Sequence, residues 1–381
     1  MKLAIISHTE HYKTTDGTIV GWGPTINEIN HLLEVFDTIY HVAMLHDGEA
    51  PPSAMAYTSD RIKFIALKPS GGRSVLSKFN TIFNAPCVIS TVSKTLKAVD
   101  YFQLRTPTGV GVYLIPYLTW FSKKKGWYKY AGNWSQEHPP LGYRLQRYLL
   151  KKQTRIVTIN GQWDDQPRHC ITFENPCLTT QDLIEGQSVS NEKTYDGPLN
   201  FCFVGRLERE KGVEVLIKAF KLLTLVDKRR IGVVHLVGDG KHRGYFEQLT
   251  QDIKDISFEF HGFLSRAAVF NIYAQSHIFM LPSMASEGFP KVIAEAMNFG
   301  CIPMVSSVSS ITQYIVNKRN GIVIKQVNID GVFKAIRFSL GISNSDYEAL
   351  VLNNKSMLYK FTYYHYNKRL LRDVLNSSTR L

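Results

Sequence analysis

Two segments in the second half of the chain hold residues whose types and spacing could do chemistry. In residues 283–300, SMASEGFPKVIAEAMNFG, Glu287 and Glu295 are separated by seven residues and Pro290 stands between them. Proline suits the first turn of a helix, where its missing N–H costs nothing. The loop before it, with Gly288 and Phe289, is therefore expected at a helix N-terminus, where free N–H groups and the helix dipole favour a phosphate. Two carboxylates beside an anion site are electrostatically awkward unless they face neutral hydroxyls. A sugar and a ribose supply such hydroxyls, and carboxylates accept hydrogen bonds from them strongly. Taken alone, the pair reads equally well as a helix-capping glutamate and a glutamate on a solvent face.

The second segment is Phe203-Val204-Gly205-Arg206-Leu207, followed by Lys211-Gly212. Gly205 permits a tight turn at the carboxyl edge of a sheet. Arg206 and Lys211 are placed to hold a diphosphate there, in the crevice where open α/β sheets bind ligands. Either cation alone is more often a solvated surface charge; together, after a strand and before a helix, they point to anion binding.

These segments need a scaffold, and the apolar runs describe one. The first half shows short runs at 3–7, 38–44, 63–66, 87–90, 98–104 and 155–159, separated by helical or loop stretches, which argues for parallel α/β units. The second half is more regular. It predicts strands at 199–204, 232–237, 257–261, 277–281, 302–305 and 321–324 with helices between them, a Rossmann-like doubly wound sheet. At 381 residues with 44% hydrophobic residues, the chain can bury two cores. The polar stretch 186–198 reads as a linker between a domain at 1–185 and one at 199–358. Residues 359–381 are expected to form a terminal helix packing across the domains.

In order and spacing, the second half resembles the family 4 retaining glycosyltransferases of the GT-B fold. The family's G-R-L…K-G run is similar to Gly205-Arg206-Leu207 with Lys211-Gly212. Its G-D/E-G turn is similar to Gly238-Asp239-Gly240, its G-x-V/L segment to Gly262-Phe263-Leu264, and its E-x7-E signature to Glu287…Glu295. Each piece alone arises by chance; four in the right order are specific. In the first half, Gly21-Trp22-Gly23-Pro24-Thr25 resembles the family's glycine-rich loop, with Gly23 letting backbone approach the phosphate, although a plain surface turn fits as well.

The resemblance implies an α/β chain of two Rossmann-like domains facing each other across a donor/acceptor cleft. It implies transfer of a sugar from a nucleoside diphosphate, UDP or GDP, with retention at the anomeric carbon, to a saccharide or lipid-linked saccharide in surface-polysaccharide assembly. Glu287, Arg206 and Lys211 would be catalytic. Gly23, Gly205, Gly238, Gly262, Phe263, Gly288, Phe289, Pro290 and Glu295 would hold the donor. No cofactor and no metal are expected, since the cations and helix dipole take the place of Mg²⁺ and no Asp-x-Asp motif is present. The family's first-domain histidine has no counterpart: Arg105, Asn133 and His138 are the candidates on the acceptor side. Its Gly-Gly pair is replaced by Ser309-Ser310.

Composition narrows the partners. The net charge of +13 favours anionic ones, and without a helix-turn-helix, zinc-finger or RNP pattern nucleic acid is not among them. Five scattered cysteines with no C-x-x-C fit a reducing cytoplasm. The apolar start, residues 3–6, is too short for a signal peptide, and no window suits a membrane span. Residues 121–155 contain nine Lys/Arg against Glu137 alone, with Trp127 and Trp134 inside and Trp120 just ahead. This mixture suits peripheral contact with an anionic membrane on its cytoplasmic face; a solvated basic face with buried aromatics fits equally. An epimerase or phosphorylase on the same fold, or a non-catalytic sugar-nucleotide binder, would share these features. A nicotinamide dehydrogenase would not, because no G-x-G-x-x-G follows a strand.

Overall fold

The structure is a computed structural model and describes residues 1–70 and 80–376. The chain forms two compact units, one from residues 1–174 with the terminal segment from Tyr363, the other from Asn175–Thr362.

The first unit is a nine-stranded sheet: β1 (Lys2–Lys13), β2 (Ile19–Trp22), β3 (Thr38–Leu45), β4 (Ala54–Ala56), β5 (Ile62–Leu67), β6 (Tyr101–Thr106), β7 (Lys125–Tyr130), β8 (Val157–Ile159) and β9 (Cys170–Thr172). A parallel body runs β5-β3-β1-β6-β7-β8-β9. The far end of β1 pairs antiparallel with β2, and β2 with β4. The run expected as a strand at 87–90 is instead inside a helix, Ala85–Lys97, whose buried Val88, Val92 and Leu96 recur every four residues. That is a helical period, which a four-residue window cannot reveal. Conversely, Lys125 and Lys129 lie in β7, a strand buried at Trp127, Tyr128 and Tyr130.

The second unit is a six-stranded parallel sheet: β10 (Leu199–Val204), β11 (Ile231–Val237), β12 (Ser257–Gly262), β13 (Ile278–Leu281), β14 (Ile302–Ser306) and β15 (Ile322–Ile324). Its order is β12-β11-β10-β13-β14-β15, the doubly wound order in which the chain builds outward from the centre in both directions. Phe201, Phe203, Leu216 and Phe220 lie in its core.

The first part of the stretch expected as a linker, 186–192, is helical, whereas 193–198 is in neither helix nor strand. Thr180–Glu192 is a helix begun by a capping box in which Thr179 and Asp182 satisfy each other's backbone N–H groups. Its contact face uses small residues: a Cβ on Gly186 would meet Asn298 Nδ2 at 2.1 Å, and Ser190 is buried. A helix that packs through glycine and serine has the composition of a linker. The division between units therefore falls between Glu174 and Asn175.

The terminal segment is not one helix. Tyr359–Phe361 forms a 3-10 turn, Thr362 is extended, and a new helix, Tyr363–Arg369, runs into a wider turn at Leu370–Leu375. Tyr366, Leu370, Val374 and Leu375 pack in the first unit with Leu3, Ile5, Phe36 and Trp127. Residues 377–381 of the expected helix lie outside the described residues.

Candidate functional site

In the second unit, the sheet order reverses between β10 and β13. Crossovers leave these two neighbours in opposite directions, which opens a crevice at their carboxyl ends. Both chemistry-bearing segments start there: Gly205, Arg206 and Lys211 follow β10, and the loop with Glu287 follows β13.

Backbone contacts lock the two together. After β10 a 3-10 turn, Arg209–Lys211, ends at Gly212 in the left-handed region, φ +80°. A Cβ at Gly212 would sit 2.0 Å from the Pro282 carbonyl oxygen, so only glycine allows this approach. The Met284 N–H donates to the Glu210 carbonyl at 2.8 Å, and Ser306 Oγ donates to the Ser283 carbonyl at 2.6 Å. Lys211 Nζ thereby reaches Glu287 Oε1 in a direct ion pair. The lysine side chain is 11% exposed and the glutamate 39%, so the cation is nearly desolvated while the carboxylate faces water. Arg206, by contrast, is an exposed side chain held at 2.9 Å by Glu208.

The adjacent strand ends are clasped in the same way. Gly205 N–H donates to Val237 O at 3.0 Å, and Gly238 N–H to Gly262 O at 2.8 Å. Gly238 has φ +123°, and a Cβ there would meet the Gly205 carbonyl at 2.0 Å. These three glycines bring β10, β11 and β12 to a common edge, beyond which Phe263 stands 45% exposed.

The helix of the second segment is Lys291–Asn298, with Pro290 as its N-cap, one residue ahead of the position expected for it. Glu295 on this helix is half-buried and makes no hydrogen bond to a described residue. Burial pushes its carboxyl up from the usual carboxylate range, with Arg266 and Lys291 acting in the opposite sense. Gly288 is buried. Phe289 is a core residue: its ring stacks on Phe361 at 4.8 Å and meets Tyr314 edge-on. Ser309, where the family has glycine, keeps the glycine conformation at φ +54°.

The first-unit candidates lie in varied settings. Gly23 is used by its own unit: its N–H donates to Ser53 O at 3.0 Å, and a Cβ would stand 2.7 Å from that oxygen. Arg105 closes β6 as a buried side chain bonded to Glu28 at 2.9 Å and Gln103 at 3.0 Å. Lys129 of β7 pairs with the same Glu28 oxygen. Asn133 Oδ1 accepts from the Ser135 N–H at 3.0 Å, and His138 is exposed.

Sequence reasoning missed a polar network at the same sheet edge. His41 joins Ser7 Oγ at 2.8 Å and the Tyr57 hydroxyl at 2.7 Å, and His11 reaches that hydroxyl at 2.8 Å. Burial holds both imidazoles below their ordinary pKa, His11 down to about 4. His41 sits within an apolar strand run and Glu28 between Ile26 and Ile29 on a short polar helix, where a scan for hydrophobic periodicity passes over them.

Of the aromatic residues in the basic stretch, Trp127 and Trp134 are buried. The large apolar side chains that face outward are Trp120 and Phe121 and, on the helix Leu141–Lys151, Leu141, Leu145 and Tyr148. Among the described residues, no helix is long and apolar enough to cross a membrane.

Two Rossmann-like α/β units, the second with its crevice built from glycine turns, a cation pair and two carboxylates, define the GT-B fold class of glycosyltransferases. Solved structures of that class are similar over nearly the full length. HepE of Anabaena, crystallised in complex with UDP, matches with a TM-score of 0.70 at 15% identity, covering 99% of this chain and 100% of that one. Sucrose-phosphate synthase of Thermosynechococcus elongatus matches with a TM-score of 0.72 at 16% identity, with the same coverage. Residues 187–355, within the second unit, match the family model of the glycosyl transferases group 1. An uncharacterized glycosyltransferase of Methanocaldococcus jannaschii is 31% identical over 131 residues, 34% of this chain; the chain spans 33% of that relative's length.

Proposed function

We propose that the chain is a retaining, metal-independent glycosyltransferase of the family 4 type, moving a sugar from a nucleoside diphosphate to a saccharide or lipid-linked saccharide. The observation that carries this reading is the Lys211–Glu287 pair at the switch point, which puts a nearly desolvated cation and a solvent-facing carboxylate in one place. Glycosyl transfer needs both. The bond from the anomeric carbon to the diphosphate oxygen breaks, and the developing negative charge on that oxygen falls to Lys211, with the exposed Arg206 of the same strand-end segment as the second cation. A preorganised cation of this kind acts where charge grows in the transition state. Glu287 accepts from sugar hydroxyls and Glu295 from the ribose. A bond forms from the acceptor hydroxyl oxygen to the anomeric carbon, and the hydroxyl proton passes to the departing phosphate.

UDP is the favoured nucleotide, since HepE, a structural relative, binds it. The exposed ring of Phe263, next to Gly262, is suited to meet its base. On the acceptor side, the outward Leu141, Leu145 and Tyr148 share one helical face, and Arg144 and Lys151 flank it. That face suits an anionic membrane surface on the cytoplasmic side and a lipid-linked acceptor of surface-polysaccharide assembly.

The test is thermal unfolding with UDP, GDP and ADP, followed by a transfer assay with the nucleotide sugar that stabilises. A ligand at 100 times its Kd adds about 2.7 kcal/mol. A selective rise is expected with UDP; no rise with any diphosphate would remove the donor site. Sedimentation with anionic but not neutral vesicles tests the membrane face. Stabilisation by UDP with phosphorolysis or epimerisation, and no transfer, would move the chain to another GT-B activity.

A further inference from the structure

On the outer strands of the second sheet, just ahead of Gly262 and Phe263, three ligand-type atoms converge. His235 lies on β11, and Glu259 and His261 on its parallel neighbour β12. His235 and Glu259 are directly opposed in the ladder, and Glu259 and His261, two apart, point to the same face. The register slips by one after the Leu236–Phe260 pair, so that Val237 opposes Gly262 and His261 is the extra residue. A bulge of this type re-aims a side chain.

His235 Nδ1 stands 3.0 Å from His261 Nε2 and 3.3 Å from Glu259 Oε2, and those two are 3.5 Å apart. For a tetrahedral ion with bonds of about 2.0–2.1 Å, neighbouring ligand atoms are about 3.3–3.4 Å apart. The sides of the observed triangle bracket that spacing, and each residue offers one ligand atom to the group.

We propose that His235, Glu259 and His261 form a site for a divalent cation of the zinc class, with solvent at the fourth corner. Two imidazoles and one carboxylate suit zinc. The His235 side chain is 6% exposed and His261 22%, whereas Glu259 is 48% exposed, so the open corner lies on the carboxylate side. His235 Nε2 is buried without a hydrogen-bond partner among the described residues, so the ring is oriented from the Nδ1 side. The ion would staple β12, the edge strand, to β11 immediately before Gly262 and Phe263. Its role is to hold that edge; it takes no part in glycosyl transfer, and its existence does not depend on the donor reading.

The experiment is titration of the full chain, stripped with a chelator, with Co²⁺ and then Zn²⁺, followed by visible absorption, calorimetry and the unfolding midpoint. One equivalent of Co²⁺ should give the intense visible bands of a tetrahedral site, Zn²⁺ should displace it, and Zn²⁺ should raise the midpoint. His261→Ala and Glu259→Gln, on the more exposed members, should each weaken binding by at least about 100-fold, beyond what losing a supporting partner does. Their midpoints in chelator should match the parent chain, which separates lost binding from lost folding. With 12 histidines in the chain, binding that survives both substitutions, or that never reaches one equivalent, would overturn the proposal.

Discussion

Replacing Lys211 by Met removes the cation that the donor site is built around while keeping the length of its stem. The lysine side chain is 11% exposed, so an effective dielectric of about 20 is appropriate. At about 4 Å from a phosphate oxygen, its attraction is then about 4 kcal/mol. Loss of one preorganised group facing developing charge lowers kcat by about 10²–10³, equivalent to about 2.7–4 kcal/mol, so the two routes agree. The effect on folding should be small. Glu287, left behind, is 39% exposed and returns to water, and a pair open to solvent on one side is worth up to about 1 kcal/mol. Glu287→Gln supplies the contrast: it removes the anion that competes with a diphosphate for Lys211. Nucleotide affinity should hold or rise, while transfer falls because an amide is a weaker acceptor for sugar hydroxyls. Steady-state transfer gives kcat and KM, and UDP-dependent unfolding midpoints give affinity. Wild-type kcat/KM in Lys211→Met, or a loss of UDP affinity in both variants, would refute the roles assigned to the pair.

Gly238→Ala places a methyl 2.0 Å from a backbone oxygen at φ +123°; it should lower stability by at least about 1–3 kcal/mol and remove the UDP-dependent rise in unfolding midpoint. Ser309→Gly relieves a left-handed residue at φ +54° and should raise the midpoint, by up to about 1–2 kcal/mol in urea titration. Glu28→Ala strands Arg105 and Lys129, both nearly buried; a loss of about 3–5 kcal/mol is expected, and an unchanged urea midpoint would show that the triad is not structural. Burial holds His11 and His277 down to about 4, below the 6.5 of an unfolded chain. Between those values the unfolded chain binds more protons, so stability rises with pH and is lost on acidification from about 6.5 towards 4. Each full shift corresponds to on the order of 3 kcal/mol; His277→Asn should flatten the dependence of the unfolding midpoint on pH below about 6.5.

The second sheet was legible because its strands are short, apolar and punctuated by glycines that the turns require. Gly212 and Gly238 are where two backbones come closer than a side chain permits, so the spacing of glycines records the geometry of the strand ends. The helix at 180–192 was not legible for the complementary reason: its fully buried positions are Asp182, Gly186 and Ser190, and polar or small residues that permit close contact look the same as those that permit disorder. In the first sheet, β7 holds Lys129 against Glu28 inside a buried strand. A cation neutralised by a residue about a hundred positions earlier reads locally as a surface charge, and only the fold brings the two together.

The same distinction decides the site. Glu287 and Lys211 were legible as types, but the contact between them was not, because it depends on Gly212 meeting Pro282 and on Met284 bonding Glu210. That contact changes what the residues can do. A lysine nearly out of water and aimed by a carboxylate is already oriented when a diphosphate competes for it, so little side-chain entropy remains to be lost on binding. The diphosphate, in taking the lysine, releases Glu287 to accept from hydroxyls of the attached sugar. Nucleotide and sugar are then read by one exchange of partners. A free nucleoside diphosphate leaves the released carboxylate in water, whereas the intact donor gives it new hydrogen bonds; the affinity difference between the two should therefore shrink in Glu287→Gln and persist in variants elsewhere on the crevice.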